Sequence, residues 1–309
     1  MRTAIVGIGG VGGYYGGKLA LHYAGDKEHE IIFIARGEHL AAIKKNGLQV
    51  MTVEGDFTAV PALATDIPRD AGPFDLVLFC VKSYGLEEAA RLIKDNVHGQ
   101  TLIIPLLNGV NMAERLRAVL PKGVLLGGCV YISTRMEGPG AIRQVGGSGQ
   151  FIFGPEQGMD TAPFLPVENF LKNAGIKAEL VADIRTPLWT KYIFIDPLAG
   201  LTAMLGKAFG EILGDEGQKR MLEGLMHEVE RIARAQGVQL PVDIVPATVA
   251  KAGSFPQGTK TSFQLDYEKG NPAELDIFMG YMVAAGKKLG IPLPLHERVY
   301  AELSAKTGK

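Results

Sequence analysis

Strand-sized apolar runs alternate with polar or glycine-rich segments through the first third of the chain. The runs span residues 4–6, 30–35, 74–81 and 101–107, and the last two are apolar at nearly every position. A strand that is buried on both faces has this pattern, whereas a strand with one solvated face alternates. Residues 11–24, between the first two runs, have the length of a helix. This order predicts an α/β fold with a mostly parallel sheet.

The pattern changes further along the chain. Additional strands are predicted at residues 48–53, 56–60, 124–134, 141–145, 151–153 and 176–181. The turn at 137–140, Glu-Gly-Pro-Gly, indicates antiparallel pairing appended to the parallel sheet. Residues 163–174 have a helical pattern, and nearly everything beyond Asp183 is helical too. We therefore expect two domains, residues 1–182 with the sheet and residues 183–309 built only of helices.

The first predicted strand runs into a glycine-rich turn, Gly7-Ile8-Gly9-Gly10-Val11-Gly12, which fits the pattern G-x-G-x-x-G. In a Rossmann-type domain the first glycine allows a tight turn, the second lets a pyrophosphate approach the backbone, and the third lets the helix pack closely on the strand. The helix N-terminus would then face the phosphates. A merely structural turn is the alternative. The predicted strand before the turn and the predicted helix after it favour a dinucleotide site formed by these six residues.

Three polar residues follow the other predicted parallel strands directly. Arg36 follows the second strand, Lys82 the strand at 74–81, and Asn108 the strand at 101–107. Because ligands bind beyond the carboxyl ends of parallel strands, we expect these residues and Gly9 to share one edge of the sheet. An arginine at the end of the second strand suits the extra phosphate of NADP, whereas NAD sites usually have an acid there. Each residue alone could instead be an ordinary loop residue.

A lysine in the second domain has unusual surroundings. Thr186 and Pro187 resemble a helix start, with threonine as the N-cap and proline at the first helical position. Lys191 is then the only charge within residues 188–195. Lysine rarely occupies such an apolar helix unless its ammonium group reaches a partner, a cleft or solvent. In a partly dehydrated cleft a lysine becomes a better acid, which suits proton donation to a developing alkoxide.

Glu274 permits two interpretations. Asn271 as N-cap, Pro272 at the first helical position and Glu274 at the third would form a capping-box arrangement. The same carboxylate could take part in catalysis. The residue pattern does not decide between them.

The charge balance and the cysteine and histidine content narrow the class of protein. The 32 Lys and Arg residues nearly balance 33 Asp and Glu, which gives no reason to expect nucleic acid or an anionic membrane as a partner. We also expect no membrane span and no secretory leader. Cys80 and Cys129 lie in apolar runs and suggest reduced thiols in a cytoplasmic protein. The six histidines lack metal-type spacing, so we expect no metal site.

Taken in order, these motifs resemble the 2-dehydropantoate 2-reductase (ketopantoate reductase) family over essentially the whole chain. The resemblance rests on the glycine turn, Val81-Lys82-Ser83-Tyr84, Leu107-Asn108-Gly109, Trp189-x-Lys191, Ser262 and Glu274-Leu275-Asp276. It implies NADPH-dependent reduction of ketopantoate to pantoate, in pantothenate and coenzyme A biosynthesis, by a cytoplasmic oxidoreductase. The substrate would be a small 2-oxo acid, and the protein a monomer or homodimer.

The resemblance also implies roles for individual residues. Lys191 matches the catalytic lysine and Glu274 the active-site carboxylate, which also lies near the cofactor. Arg36 and Lys82 match the basic positions that contact NADP. Asn108 and Ser262 match polar positions near the nicotinamide and the substrate.

The chain departs from the family at two positions. The family commonly has asparagines four and eight residues after the lysine, on the same helix face, whereas this chain has Ile195 and Ala199. Asp196 lies about 100° around the helix from Ile195 and cannot simply replace an amide there. Two alternatives therefore stay open: reduction of a different 2-oxo acid with the same Lys191 and Glu274, or NADPH binding without catalysis.

Overall fold

A computed structural model describes residues 1–156 and 158–307. The chain forms two compact units. The first comprises Met1–Leu107 and Asn111–Ile184, and the second, the helical unit, comprises Asn108–Val110 and the chain from Arg185 onwards.

The first unit contains two sheets. Its strands are β1 (Arg2–Val6), β2 (Glu30–Ile34), β3 (Leu48–Met51), β4 (Phe57–Ala59), β5 (Leu63–Thr65), β6 (Leu76–Phe79), β7 (Leu102–Pro105), β8 (Val124–Leu125), β9 (Gly127–Gly138), β10 (Ala141–Gly154) and β11 (Lys177–Leu180). Its helices are α1 (Gly10–His22), α2 (Gly37–Asn46), α3 (Leu86–Leu92), α4 (Met112–Val119) and α5 (Leu165–Asn173).

The larger sheet has the order β5-β2-β1-β6-β7-β8, and all its pairings are parallel. Its central strands β1, β2, β6 and β7 are the four runs with which the sequence pattern begins. The smaller sheet has the order β11-β10-β3-β4, with β9 paired antiparallel to β10. The α/β class with a mostly parallel sheet is therefore confirmed.

Two details of the predicted strands are wrong. The strands expected at 141–145 and 151–153 are one strand, β10, because the glycine-rich segment between them is accommodated as register shifts against β9. The hairpin at 137–140 does pair antiparallel, but it belongs to a separate sheet and not to the edge of the parallel one. Glycines that looked like a strand break are thus an irregularity within a continuous strand.

Helix α1 packs between the two sheets, which explains most of its glycines. A Cβ at Gly16 would lie 3.0 Å from Ile5 on β1, and a Cβ at Gly17 would lie 2.8 Å from Val50 on β3. These consecutive residues, about 100° apart around the helix, therefore touch different sheets. Side chains at these positions would force the layers apart.

The second unit consists of helices in its described part. They are α6 (Arg185–Leu205), α7 (Phe209–Leu213), α8 (Glu216–Ala235), α9 (Ile244–Gly253), α10 (Ser262–Glu268), α11 (Met279–Leu289) and α12 (Pro294–Thr307). The expected all-helical second domain is confirmed in class. No helix within the described residues is both long and apolar enough to cross a membrane.

Two predicted helix starts in this unit are wrong. Helix α6 already includes Arg185, and the Thr186 hydroxyl donates to the Gln239 carbonyl at 3.3 Å instead of capping the helix. No helix begins at Asn271 either. The segment up to Glu274 has no regular structure, and a short 3-10 turn at Leu275–Ile277 precedes α11. The capping-box explanation of Glu274 therefore fails.

Candidate functional site

The glycine turn in the first unit is tightly fixed by its own backbone. Gly7 has φ of +93°, a conformation that favours glycine, and its N–H donates to the Ile34 carbonyl at 3.0 Å. A Cβ at Gly12 would lie 2.0 Å from the Gly7 carbonyl oxygen, and one at Gly10 would lie 2.5 Å from the Thr134 hydroxyl on β9. Folding of this unit therefore explains Gly7, Gly10 and Gly12.

Gly9 is different, because nothing in the fold requires it. A Cβ there would meet no heavy atom within 4 Å, and its φ of −81° is available to any residue. Gly9 is the N-cap of α1, and no acidic residue lies in the first turn of that helix. The space beside Gly9 is therefore open and faces the positive end of a helix, as a pyrophosphate requires. The glycine turn, including Ile8 and Val11, fits a dinucleotide.

Arg36 and Lys82 follow neighbouring parts of the parallel sheet. Arg36 comes two residues after β2 and is the N-cap of α2, while Lys82 comes three residues after β6. Because β2, β1 and β6 are adjacent and parallel, their carboxyl ends and the glycine turn lie at one edge of this sheet. The Arg36 guanidinium lies 3.4 Å from Glu88, and the two side chains are 86% and 76% exposed. Such an exposed pair is weak and leaves the guanidinium able to bind a phosphate.

Other residues fix this edge. Arg115 on α4 donates to the Ser83 carbonyl and to the Glu87 carboxylate, both at 2.7 Å, and so holds the loop that follows Lys82. His39 on α2 accepts the Gly140 N–H at 2.9 Å. Burial lowers the pKa of His39, so its ring is neutral near pH 7 and adds no positive charge beside Arg36. Burial raises the pKa of the Cys80 thiol behind the turn, which makes it unreactive.

In the helical unit, Lys191 and Asn108 are brought together. Lys191 Nζ on α6 donates to Asn108 Oδ1 at 3.0 Å, and both side chains are partly buried. Asn108 comes three residues after β7, and Gly109 next to it has φ of +101°, which lets the chain turn directly after the amide. The Asn108 oxygen is a neutral acceptor, so this hydrogen bond orients the ammonium group without adding a negative charge beside it.

The other two predicted site residues lie in the same unit. Glu274 is buried and directly precedes the 3-10 turn Leu275–Ile277, and its carboxylate makes no capping hydrogen bond to that turn. Ser262 is exposed and is the first residue of α10, whose N-cap Thr261 accepts the Gln264 N–H at 3.0 Å. Helix capping therefore explains neither the Glu274 carboxylate nor the Ser262 hydroxyl.

The positions where the chain departs from the resemblance have different surroundings. Ile195 is partly exposed and lies one helical turn after Lys191 on α6. Ala199 is fully buried. Of the two, only Ile195 retains surface that a ligand could touch.

Sequence reasoning missed a buried polar cluster in the helical unit. Asp196 on α6, Glu228 on α8 and His296 on α12 are joined through both ring nitrogens of the histidine. His296 is 68 residues from Glu228 and 100 from Asp196 in the chain, so no local spacing connects them. The only sequence signal was Asp196 itself, an acid within the apolar run of α6. Among the described residues no group of His, Cys, Asp and Glu side chains is arranged to hold a metal ion.

Comparisons with known proteins agree with this geometry. Residues 3–158 match the family described as ketopantoate reductase PanE/ApbA, and residues 183–307 match the C-terminal region of the same family. The solved 2-dehydropantoate 2-reductase from Porphyromonas gingivalis W83 is 36% identical, with a TM-score of 0.86 and coverage of 98% of this chain and 99% of that one.

Two further relatives span the whole chain. A PanE/ApbA family ketopantoate reductase from Ralstonia eutropha JMP134 is 33% identical, with a TM-score of 0.89, covering 100% of this chain and 99% of that one. An uncharacterized oxidoreductase, YkpB, from Bacillus subtilis is 30% identical over 98% of both chains. From its fold, its glycine turn and these matches, the chain belongs to the ketopantoate reductase PanE/ApbA family of oxidoreductases.

Proposed function

We propose that the protein reduces 2-dehydropantoate (ketopantoate) to pantoate with NADPH and so serves pantothenate and coenzyme A biosynthesis in the cytoplasm. The observation that carries this proposal is the hydrogen bond from Lys191 to Asn108 at 3.0 Å, in a chain of the ketopantoate reductase family. The first unit binds the nucleotide, and the helical unit supplies the acid.

Residues 7–12, Arg36 and Lys82 would hold the dinucleotide. A bound nicotinamide cofactor supplies the hydride that reduces the carbonyl carbon of the substrate. The open backbone at Gly9 and the N-terminus of α1 bind the pyrophosphate. The exposed guanidinium of Arg36 at the start of α2 binds the additional phosphate that distinguishes NADPH from NADH.

Lys191 is the proton donor in this mechanism. As the carbonyl carbon gains the hydride, negative charge develops on its oxygen, and the Lys191 ammonium stabilises that charge and transfers one proton to it. The neutral amine then regains a proton from water. Asn108 accepts from the ammonium and directs it, because an amide oxygen orients the group without neutralising its charge.

Glu274, Ser262 and Asn108 would complete the site for substrate. Following the resemblance, Glu274 binds a substrate hydroxyl or orients Lys191 and lies near the cofactor, and Ser262 helps to hold the substrate carboxylate. The buried position of the Glu274 carboxylate, which does not cap the 3-10 turn that follows it, supports a role in the site. The exposed Ser262 at the start of α10 is compatible with contact to a ligand.

A second candidate function is reduction of a different 2-oxo acid by the same residues. The observation that favours it is Ile195, an apolar, partly exposed side chain on the same face of α6 as Lys191. An apolar contact there favours a substrate with an alkyl or aryl group over one with a hydroxyl, because an unpaired hydroxyl loses hydrogen bonds to water.

One assay separates the candidates. NADPH oxidation at 340 nm is followed with ketopantoate, 2-oxoisovalerate, phenylpyruvate and pyruvate, with NADH in parallel. The proposal expects the highest kcat/KM with ketopantoate and NADPH. A higher value with phenylpyruvate or 2-oxoisovalerate favours the second candidate. No oxidation with any acid, together with measurable NADPH binding, would indicate a non-catalytic nucleotide-binding protein.

A further inference from the structure

The buried cluster of Asp196, Glu228 and His296 is an ion-pair network that the reaction itself does not use. His296 Nε2 lies 2.8 Å from Asp196 Oδ2, and His296 Nδ1 lies 2.6 Å from Glu228 Oε2. The Asp196 and His296 side chains are 0% exposed. Both ring nitrogens face carboxylate oxygens, and with both carboxylates ionised the ring donates to them as an imidazolium with two N–H groups. In that form neither nitrogen has a lone pair for a metal.

Glu228 holds His296 through both its ring and its backbone. Its carboxylate accepts the backbone N–H groups of Leu295 and His296 at 3.1 and 3.0 Å, in the first turn of α12. These groups have no partner within the helix, and a carboxylate at a helix N-terminus is stabilising. The ring of His296 is therefore a rigid part of the contact between α8 and α12, and it presents one N–H to α6.

Asp196 accepts this N–H where α6 lacks one of its backbone hydrogen bonds. The next residue is Pro197, which has no N–H, so the helical hydrogen bond to the Ile193 carbonyl cannot form. Lys191 lies five residues before Asp196, about 140° around the helix. The ion pair is thus on another face from Lys191, at the position where the helix lacks a bond of its own.

The same stretch of α6 is held at a second point. The Tyr192 hydroxyl, next to Lys191 in the chain, contacts the carbonyl oxygens of Ile277 and Phe278 at 2.8 and 3.0 Å. The Tyr192 hydroxyl and the Asp196 carboxylate therefore hold α6 on both sides of Ile193, close to Lys191. A buried ion pair adds little stability compared with apolar packing, so its presence at a helix break is better explained by the geometry that it fixes.

We infer that Asp196 and His296 are positioning residues that hold Lys191 in place by fastening α6 where Pro197 interrupts its hydrogen bonds. They do not contact substrate or cofactor in this role. The kinetic part of the inference rests on the proposed reductase function. Its structural part concerns only α6 and can be measured without a substrate.

The kinetic test compares Asp196→Asn with wild type and with Thr202→Val. Thr202 is a matched control because it is buried on the same helix, beyond Pro197, with its hydroxyl bonded to the Leu198 carbonyl. Asp196→Asn should lower kcat about 10- to 100-fold, while the KM for the 2-oxo acid and the Kd for NADPH stay within about twofold. Thr202→Val should leave the kcat of the folded enzyme within about twofold.

A double-variant cycle shows whether Asp196 acts through Lys191. In a Lys191→Ala background, Asp196→Asn should cause no further loss of the residual turnover, because the group that it positions is absent. A general structural defect would lower turnover by the same factor in both backgrounds, and that result would overturn the inference. Should Asp196→Asn not accumulate as folded protein, His296→Gln breaks the same pair from α12 and is judged by the same criteria.

The structural test uses Trp189, the only tryptophan in the chain. Trp189 is buried on α6, two residues before Lys191, with its ring 5.6 Å from that of Tyr192. With 5-fluorotryptophan, the single ¹⁹F resonance of folded Asp196→Asn should shift or split, and that of Thr202→Val should match wild type. An unchanged resonance in Asp196→Asn overturns the inference whether or not a substrate is known. A shifted resonance in a protein that reduces no 2-oxo acid overturns only the proposed function.

Discussion

Lys191 Nζ donates to Asn108 Oδ1 at 3.0 Å, so a cation on α6 is oriented by a residue that is more than 80 positions earlier in the chain. An amide oxygen is neutral, so it directs the ammonium group without adding a negative charge beside it.

Replacing Lys191 by alanine should reduce turnover with the preferred 2-oxo acid by about 10²- to 10⁴-fold, since a positioned general acid contributes that much. The Kd for NADPH, measured by nucleotide fluorescence, should change little. Lys288→Ala serves as the control, because Lys288 is an exposed lysine in the same unit, on α11. Near-normal turnover of Lys191→Ala would mean that another group donates the proton.

Gly9 and Gly12 should respond in opposite ways to alanine. A Cβ at Gly9 meets nothing within 4 Å, so Gly9→Ala should leave the melting temperature unchanged or slightly higher. It should weaken NADPH binding at least about tenfold, because the methyl group occupies the space that the pyrophosphate needs. Gly12→Ala places a Cβ 2.0 Å from the Gly7 carbonyl and should lower the melting temperature strongly. Titration calorimetry and thermal melts measure the two effects separately. Tight NADPH binding by Gly9→Ala would contradict the proposal that the pyrophosphate binds beside Gly9.

The contrast between these glycines also shows what sequence could and could not predict. The turn, the strands before and after it and the residues at the strand ends follow from local patterns, because parallel strands have uniform apolar runs and phosphate turns need glycine at set positions. The pattern could not say that Gly10 is required by Thr134, since β9 is distant in the chain.

The helical unit was less predictable for the same reason. Lys191 is conspicuous as the only charge in an apolar stretch, and the class of the unit follows from composition. The partners of Asp196 depend on how three helices pack, and neither Glu228 nor His296 differs locally from an ordinary helix residue. The sequence left two interpretations of Glu274, and the structure excludes one of them, because no helix begins at Asn271.

Arg36→Ala should weaken NADPH binding about 10- to 100-fold and leave NADH binding nearly unchanged, because a charge-assisted pair with a phosphate is lost. Arg69→Ala is a matched control: its side chain is 80% exposed, in the same unit, and lies 3.7 Å from the adjacent Asp70. Kd values for both nucleotides, measured in the same buffer, give the ratio. Equal losses of affinity for NADPH and NADH would mean that Arg36 does not determine which cofactor the protein prefers.

Ile195→Asn should shift substrate preference. An amide on the Lys191 face of α6 can bond a substrate hydroxyl, so kcat/KM for ketopantoate should rise relative to 2-oxoisovalerate, by about tenfold or more. Leu265→Asn, which changes an exposed leucine on α10 in the same way, controls for general effects of added polarity. An unaltered ratio would place Ile195 outside the substrate site and weaken the second candidate function.

The stability of the protein should fall as pH rises from about 7 to 9, and His296 should cause much of that fall. Burial lowers the pKa of His296, but the carboxylates of Asp196 and Glu228 outweigh it and raise the pKa to about 9. Each carboxylate has a further polar neighbour: the Tyr192 hydroxyl on α6 interacts with Asp196, whose own pKa burial raises, and Arg231 on α8 lies 3.8 Å from Glu228.

Folded protein therefore keeps a proton that the unfolded chain releases near its ordinary pKa of about 6.5. The stabilisation is complete below that value and is lost as pH rises through about 9, with an upper limit of about 3 kcal/mol. Urea midpoints at pH 6, 7.5, 9 and 10 measure it. His296→Gln should be less stable than wild type at pH 6 and should lack this part of the slope, while His227→Gln, which changes an exposed histidine on α8, should keep it. A parallel pH dependence in His296→Gln and wild type would show that the ring is not held as an imidazolium.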